Sequence, residues 1–424
     1  MNNFILKGDI LYSKNLNTIS QHENSYLVCI DGKSVGVFKK LPSKYKKLKL
    51  YDYSGKLIIP GLIDMHLHAP QYSFIGLHMD LKLLDWLNKY TFPEEAKYKK
   101  LEYAKKAYDI FVNDIKYMPT TRFSIFATIH NEASIYLAKK LDKLGFKGYV
   151  GKVNMDRNSP KFLCESANKS INDTIEYIEE VSTLKNIKPI VTPRFIPSCS
   201  DELMRGLSDI VKVYNLPVQS HLSENLSEIE WVKELSKTKN YEEAYDKYNM
   251  LGTVSNTVMA HYVWPDEKGI ELVKNRKVWI AHSPSSNRNL ASGIAPISRY
   301  LKEDIKVGLA TDVSGGSYLS MFRAMEDAIT ASKIRELLVE KNDKFDNNLN
   351  IKQALYIATL GGGKFFGKVG SFEKDYEFDA IVLDESKIKT VLMDKLSIIE
   401  RFERFVYRPC DKVIAKFIAG KKVV

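Results

Sequence analysis

Only four cysteines occur among 424 residues, Cys29, Cys164, Cys199 and Cys410, and each stands isolated in sequence. That excludes a disulfide framework and a cysteine-built zinc knuckle, and it fits a reducing, cytoplasmic compartment. Long apolar runs are missing too. No stretch approaches the ~20 apolar residues that span a bilayer, and Met1-Asn2-Asn3-Phe4 lacks the basic and apolar segments of a secretory signal. Glycine and proline are modest, at 22 and 14 residues, which removes collagen-like and low-complexity architectures. What remains, 44% hydrophobic and 27% charged, is the composition of a folded globular chain with room for one large α/β domain and a smaller companion.

Charge of one sign is in excess: 63 basic against 52 acidic residues give +11. Nucleic acid or an anionic surface is the partner such a balance first suggests. The lysines, however, are spread from Lys7 to Lys422, and runs such as Lys44-Tyr45-Lys46-Lys47-Leu48-Lys49 are interleaved with apolar residues. No helix-turn-helix, zinc-finger or RNA-recognition signature accompanies them, so a solvated lysine-rich surface is expected.

Both ends of the chain read as short strands with turns. Ser25 to Ile30, Asp31-Gly32 and Ser34 to Phe38 form one such pattern, and Phe378 to Leu383 with Val413 to Gly420 form another. The two termini are therefore expected to pair into one small β domain, residues 1–59 with 366–424. Between them lie eight apolar strand-like runs: Leu57 to His66, Thr121 to Ile129, Tyr149 to Val153, Pro189 to Phe195, Pro217 to Leu222, Val258 to Val263, Val278 to His282 and Val307 to Asp312. Most are followed by segments with helical spacing, such as Ser170 to Leu184 and Leu226 to Leu235. Eight β-then-α units predict a closed (β/α)8 barrel over residues 60–365, with its active site at the carboxyl ends of the strands.

Ionisable residues at those ends are the informative ones. The first run ends Ile63-Asp64-Met65-His66-Leu67-His68, where residues two apart share a face, so both histidines can point into the barrel mouth. Later runs end at His221, His261, His282 and Asp312, so that five of the eight histidines fall at strand ends, with His130 just past the second. An isolated histidine there is more often a hydrogen-bonded structural residue, the reading taken for His130 and His282. Imidazoles and one carboxylate converging on one mouth instead form a divalent-metal site, the reading taken for His66, His68, His221 and Asp312. Glu224 lies three residues after His221, where a carboxyl can reach a substrate without ligating the metal and serve as a proton shuttle. After Asp312 comes the glycine-containing turn Val313-Ser314-Gly315-Gly316, which leaves room at the mouth. Arg194, at the end of the fourth run, offers a guanidinium to a carbonyl or anionic group, with a rim salt bridge as the alternative. Gln71 presents donor and acceptor to an amide-like ring edge. Trp86 and Phe195 are candidates for stacking on a planar substrate, although such aromatics often only pack.

These residues resemble the amidohydrolase superfamily of metal-dependent hydrolases. Pro60-Gly61-Leu62-Ile63-Asp64-Met65-His66-Leu67-His68 matches its opening motif, and His221, His261 and Asp312 follow in the family's order. More narrowly, the chain resembles the guanine deaminases in His68 to Tyr72, Asp85 to Pro93, Phe126 to His130, Thr192 to Phe195 and His221 to Glu224. The resemblance implies the barrel with a β-sandwich built from both termini, a homodimer, and one zinc ion per subunit on His66, His68, His221 and Asp312, with iron(II) as an alternative. It implies guanine held by Gln71, Arg194 and Phe195, with Trp86, His68, His221 and Glu224 also against the substrate, and catalysis by Glu224, His261 and Asp312. The implied reaction is hydrolytic deamination of guanine to xanthine and ammonia by hydroxide attack at C2, a step of purine catabolism or salvage.

Other readings carry less. A His-x-Glu deaminase site would use His130-Asn131-Glu132, but no Pro-Cys-x-x-Cys completes it. A binuclear hydantoinase-like centre would need a carboxylated lysine, for which Lys152 is the one candidate and an ordinary rim lysine the simpler expectation. Another heterocycle, such as an 8-oxoguanine, adenosine-type or pterin substrate, is the alternative within the family. A nucleic-acid-associated module with a structural metal is the alternative outside it.

Overall fold

The computed structural model describes residues 3–341, 347–408, 410–411 and 413–424; Met1 and Asn2 of the N-terminal segment lie outside them. The chain opens with four strands, β1 (Phe4–Ser13), β2 (Ile19–Ile30), β3 (Lys33–Phe38) and β4 (Lys49–Pro60). Next come β5 (Leu62–His68), β6 (Thr120–Phe126), β7 (Lys147–Gly151), β8 (Val153–Asn154), β9 (Ile187–Pro189), β10 (Thr192–Pro193), β11 (Val218–Leu222), β12 (Thr257–His261), β13 (Trp279–His282) and β14 (Lys306–Leu309). The chain closes with β15 (Ala380–Leu383), β16 (Ala415–Ile418) and β17 (Lys421–Lys422).

The two ends meet in one seven-stranded sheet of order β17-β16-β15-β4-β1-β2-β3. Its apolar interior gathers Phe4, Leu6, Ile10, Leu27, Phe378 and Phe417, drawn from both ends of the chain. β5 to β14 make a parallel barrel. One half has the order β5-β6-β7-β9 and the other β11-β12-β13-β14, and the halves join through a parallel bridge between Val191 and Val218. The last stave returns to the first through Asp312 N–H donating to His66 O (2.9 Å) and His68 N–H donating to Val313 O (2.8 Å).

Strands alternate with outer helices whose ends are written locally. The helix Asp201–Tyr214 starts where Ser200 Oγ accepts Leu203 N–H, carries Asp201 and Glu202 in its first turn, and stops at Asn215 in the left-handed region. Its Leu203, Met204, Leu207, Ile210 and Val211 face the barrel. The first apolar run proves to serve both domains: Leu57 to Pro60 pair with β15 in the small sheet, and the barrel stave begins only at Leu62. Between them sits Gly61, where a Cβ would come within 2.0 Å of Thr121 Oγ1. Only a residue without a side chain lets the chain pass this close to β6 as it crosses from sheet to barrel.

Buried polar contacts tie the sheet to the barrel. Arg122 on β6 donates to Asp379 through Nε (2.5 Å) and Nη2 (3.0 Å) and to Glu377 (2.7 Å). Lys416, fully buried on β16, donates to the carbonyls of Ile115 and Thr120 at 3.0 Å each. Removing one partner of a buried pair costs about 3–5 kcal/mol, because the other charge is left without compensation. Asp379→Ala should therefore lower stability by about that much in denaturant unfolding followed by circular dichroism; a loss under about 1 kcal/mol would mean that the pair does not hold the two domains together.

Candidate active site

The carboxyl ends of the strands converge on one buried cluster. His66 Nε2 lies 3.1 Å from Asp312 Oδ1, His68 Nε2 lies 3.7 Å from the same oxygen, and the Nε2 atoms of His68 and His221 are 3.1 Å apart. Phe126 packs edge-on against His66 and obliquely against His68 and His221, with ring centroids 4.7 to 5.0 Å away. His261 adjoins the cluster, with its Nε2 at 3.7 Å from Asp312 Oδ2 and 3.5 Å from Glu224 Oε2.

The donor set fits a divalent cation. His221 Nδ1 meets the Arg194 carbonyl at 2.6 Å, and since a carbonyl only accepts, Nδ1 carries the proton and Nε2 presents its lone pair to the cluster. His66 Nε2, though buried, has no hydrogen-bond partner. Burial pushes the imidazoles of His66, His68 and His221 down, toward the neutral form that coordinates metal. The ligand atoms of His66, His68 and Asp312, and those of His66, His221 and His261, lie within 4.8 Å of one another. Neutral imidazoles with one carboxylate are donors for zinc or iron(II).

Around this cluster lies a small cavity bordered by His68, His221, Gln71, Trp86, Arg194, Phe195, Glu224, His261 and Asp312. Leu83, Leu87 and Leu290 supply an apolar wall, and Gly315 of the turn after Asp312 lies at its edge. Glu224 accepts from Ser292 Oγ (3.0 Å), and burial pushes its carboxyl up to about 7. His261 Nδ1 meets Asn287 Oδ1 at 2.8 Å; burial opposes charging of its ring, but the carboxylates of Glu224 and Asp312 hold its pKa above the ordinary value. Trp86 is buried, and its indole N–H has no partner. The Phe195 ring meets Trp231 edge-on at 6.2 Å.

Two sequence expectations are corrected. Lys152 is not an exposed rim lysine: it is 1% exposed, and Glu165 at 2.7 Å compensates its charge. His282 is buried at the end of β13, yet neither ring nitrogen is hydrogen-bonded, and burial, with His261 nearby, lowers its pKa to about 3, so the ring is neutral. Arg194, expected to offer its guanidinium to a substrate, borders the cavity and is 3% exposed. His130 precedes the helix Asn131–Leu144 and borders a separate cleft with Lys99 and Glu165. Sequence reasoning passed over Glu95, which is 2% exposed and accepts from both Gln71 Nε2 (2.9 Å) and Arg194 Nη1 (2.6 Å). It also passed over Ser292 and Asn287.

A cation cluster of histidines and one aspartate at the carboxyl mouth of a (β/α)8 barrel, next to a buried acid, defines a metal-dependent hydrolase. Residues 57–423 match the amidohydrolase family, and the chain belongs to that family. It is 39% identical to the guanine deaminase of Mus musculus over 399 residues, which cover 90% of this chain and 85% of the mouse protein. With the guanine deaminase of Dictyostelium discoideum it shares 35% identity over 453 residues, covering 99% and 98% of the two chains. A solved guanine deaminase from C. acetobutylicum, with guanine bound in its active site, superposes with a TM-score of 0.96 at 44% identity over the whole of both chains. Among the described residues no helix is long and apolar enough to cross a membrane.

If the four donors hold one cation, His221→Ala should cut the divalent metal that copurifies with the chain from about one per chain to well under half, as read by elemental analysis. Wild-type metal content in that variant would place the cation elsewhere.

Proposed function

We infer that the chain is a guanine deaminase, hydrolysing guanine to xanthine and ammonia as a step of purine catabolism or salvage. The observation that carries this reading is one cavity bordered by His68, His221, His261 and Asp312 of the donor cluster, by Glu224, whose buried carboxyl is pushed up to about 7, and by Gln71 and Arg194, side chains suited to a lactam edge. Relatives that are guanine deaminases, 35–39% identical over nine-tenths or more of the chain, support the same substrate.

In this reading His66, His68, His221 and Asp312 hold one zinc ion, with iron(II) as the alternative, whose chemistry when bound is to acidify a water molecule near neutral pH. Asp312 takes the proton released as the water oxygen bonds to C2. Glu224 delivers a proton to ring N3, so that negative charge does not build up on the purine. His261, fixed by Asn287, holds the attacking oxygen through Nε2. Asp312 then gives its proton to the 2-amino group, the C2–N bond breaks, and the C2 hydroxyl returns a proton to Glu224 as it becomes a carbonyl, so that ammonia leaves, xanthine remains and both carboxyl groups are restored. Arg194 and Gln71 take the O6 and N1–H edge, Phe195 binds through its backbone, and Trp86 closes the apolar side. A site built for a carbonyl leaves buried donors without partners when an amine is offered, which disfavours adenine.

The proposal extends to the limits of the two units, residues 60–365 for the barrel and 1–59 with 366–424 for the sheet, supported by the crossing at Gly61 and the pairing of β4 with β15. It also includes a homodimer in the cytoplasm acting on the free base, without nucleic acid or membrane. Cys164 and Cys199, which donate as thiols to the carbonyls of Ser159 and Asn154, are consistent with a reducing compartment.

Glu224→Gln should keep its metal and lose turnover on guanine by about 10²- to 10⁴-fold, measured as ammonia release; near wild-type turnover would remove Glu224 from proton transfer. Arg194→Ala should raise KM for guanine by at least about tenfold with little change in metal content, since a charge-assisted hydrogen bond is lost. An unchanged KM would make Arg194 a structural residue.

A further inference from the structure

Gln71 is held at both ends. Its Nε2 donates to Glu95 Oε1 at 2.9 Å, and its Oε1 accepts from Ser314 N–H at 3.2 Å. A carboxylate has no proton to give and a backbone N–H has no lone pair to receive, so both neighbours demand the same amide orientation. Turned over, the amide would set oxygen against carboxylate and N–H against N–H. In the orientation held, one Nε2 hydrogen and one Oε1 lone pair remain for the cavity.

The same carboxylate takes one arm of Arg194. Oε2 accepts from Nη1 at 2.6 Å, and the guanidinium lies over the Phe92 ring at 5.1 Å. Nε and Nη2 stay available, and the Arg194 charge already has its counter-ion within the buried site. A ligand meeting this pair need not be an anion. What it must present is a carbonyl for the guanidinium and an N–H for the amide oxygen, which is the lactam edge of a 6-oxopurine. Glu95 itself sits in the short helix Phe92–Ala96, is 2% exposed, and does not border the cavity.

We propose that Glu95 is the positioning residue for substrate selection: its one carboxylate fixes the amide orientation of Gln71 and the fork of Arg194, and so sets the preference for a 6-oxo over a 6-aminopurine. This rests on the guanine deaminase reading and adds to it a group that acts only through the two that touch the base. Glu95→Gln replaces the acceptor-only carboxylate by a group that both donates and accepts. The Gln71 amide is then held in its orientation by Ser314 N–H alone, at 3.2 Å, so that turning it over forfeits one hydrogen bond instead of opposing a carboxylate as well, and the turned amide can donate to the N1 acceptor of 2,6-diaminopurine, a base that still carries a 2-amino group to be released.

The test compares wild type, Glu95→Gln and Glu95→Asp on guanine and 2,6-diaminopurine, with metal content and thermal midpoint measured on the same metal-replete preparations. Glu95→Gln should raise KM for guanine about 10- to 100-fold, with a smaller change in kcat, and should lower the guanine to 2,6-diaminopurine ratio of kcat/KM by at least about tenfold. Metal content should stay at the wild-type level. Glu95→Asp keeps the charge on a shorter arm and should fall between, with discrimination nearer to wild type; it alone decides the matter if the glutamine variant does not fold, a raised KM with metal retained supporting the proposal and an unchanged KM overturning it. Wild-type KM and discrimination in both variants would overturn it, as would an equal loss on both substrates accompanied by loss of metal. A wild-type protein inactive on guanine would sink the functional reading first, whereas an active wild type with indifferent variants would sink only the role of Glu95.

Discussion

The seam that closes the barrel sets the geometry of everything above it. Asp312 N–H to His66 O and His68 N–H to Val313 O join the first stave to the last, and these residues supply three of the four cluster donors. Residues almost 250 positions apart in the chain thus reach fixed mutual distances through backbone hydrogen bonds rather than through a flexible loop. The remaining imidazole, His221, is carried into place by parallel pairing of β11 with β12, the strand that ends in His261. A cluster hung on rigid strands can hold atoms to within a few tenths of an ångström, as metal coordination and proton transfer require.

Each reacting side chain is then aimed by a partner outside the cluster. The Arg194 carbonyl sets the tautomer of His221, Asn287 orients His261, and Ser292 with the burial around it tunes Glu224. The backbone shows the cost of that aim. His261 has φ +73°, Asp312 +48° and Ser223 +46°, in the left-handed region that non-glycine residues adopt at a price of about 1–3 kcal/mol. Such positions persist where surrounding packing over-determines them, and the core around these strands, with Val218, Leu222, Met259 and Ile280 fully buried, does so.

Much of the framework was legible from the chain itself, because strands buried on both faces read as continuous apolar runs and a histidine or aspartate at the end of one stands out. His66-x-His68 needs only the two-residue period of a strand to be read as a pair on one face. The runs misled at one place: Leu57 to His66 looks continuous although it serves two sheets, since burial is equally complete on both sides of Gly61 and apolar patterning does not register a change of sheet. Lys152 was misjudged because its identity alone argues for solvent, and only the fold brings Glu165 to it. Glu95 escaped for a similar reason. In Phe92-Pro93-Glu94-Glu95 it looks like a first-turn carboxylate favoured by the helix dipole, the position in which glutamates are usually exposed. Nothing local tells Glu95, which is buried, from Glu94, which pairs with Lys97 near the surface.

The same contrast between exposed and buried charges bears on the +11 net charge. Much of the surface basicity is met locally, as in Lys139 with Glu180, Lys169 with Asp173 and Arg299 with Glu267, and exposed pairs of this kind contribute little beyond solubility. Inside the site the charges are compensated within a few ångströms: Arg194 by Glu95, and the His261 ring by Glu224 and Asp312. Salt screens exposed charges beyond about 8 Å at physiological ionic strength, so the outer lysines and the inner cluster are largely independent electrostatic systems. A neutral purine gains nothing from steering by the first. In the function proposed above, selection falls to the second, where a compensated guanidinium and an amide held in one orientation would read the base by hydrogen-bond direction instead of by charge.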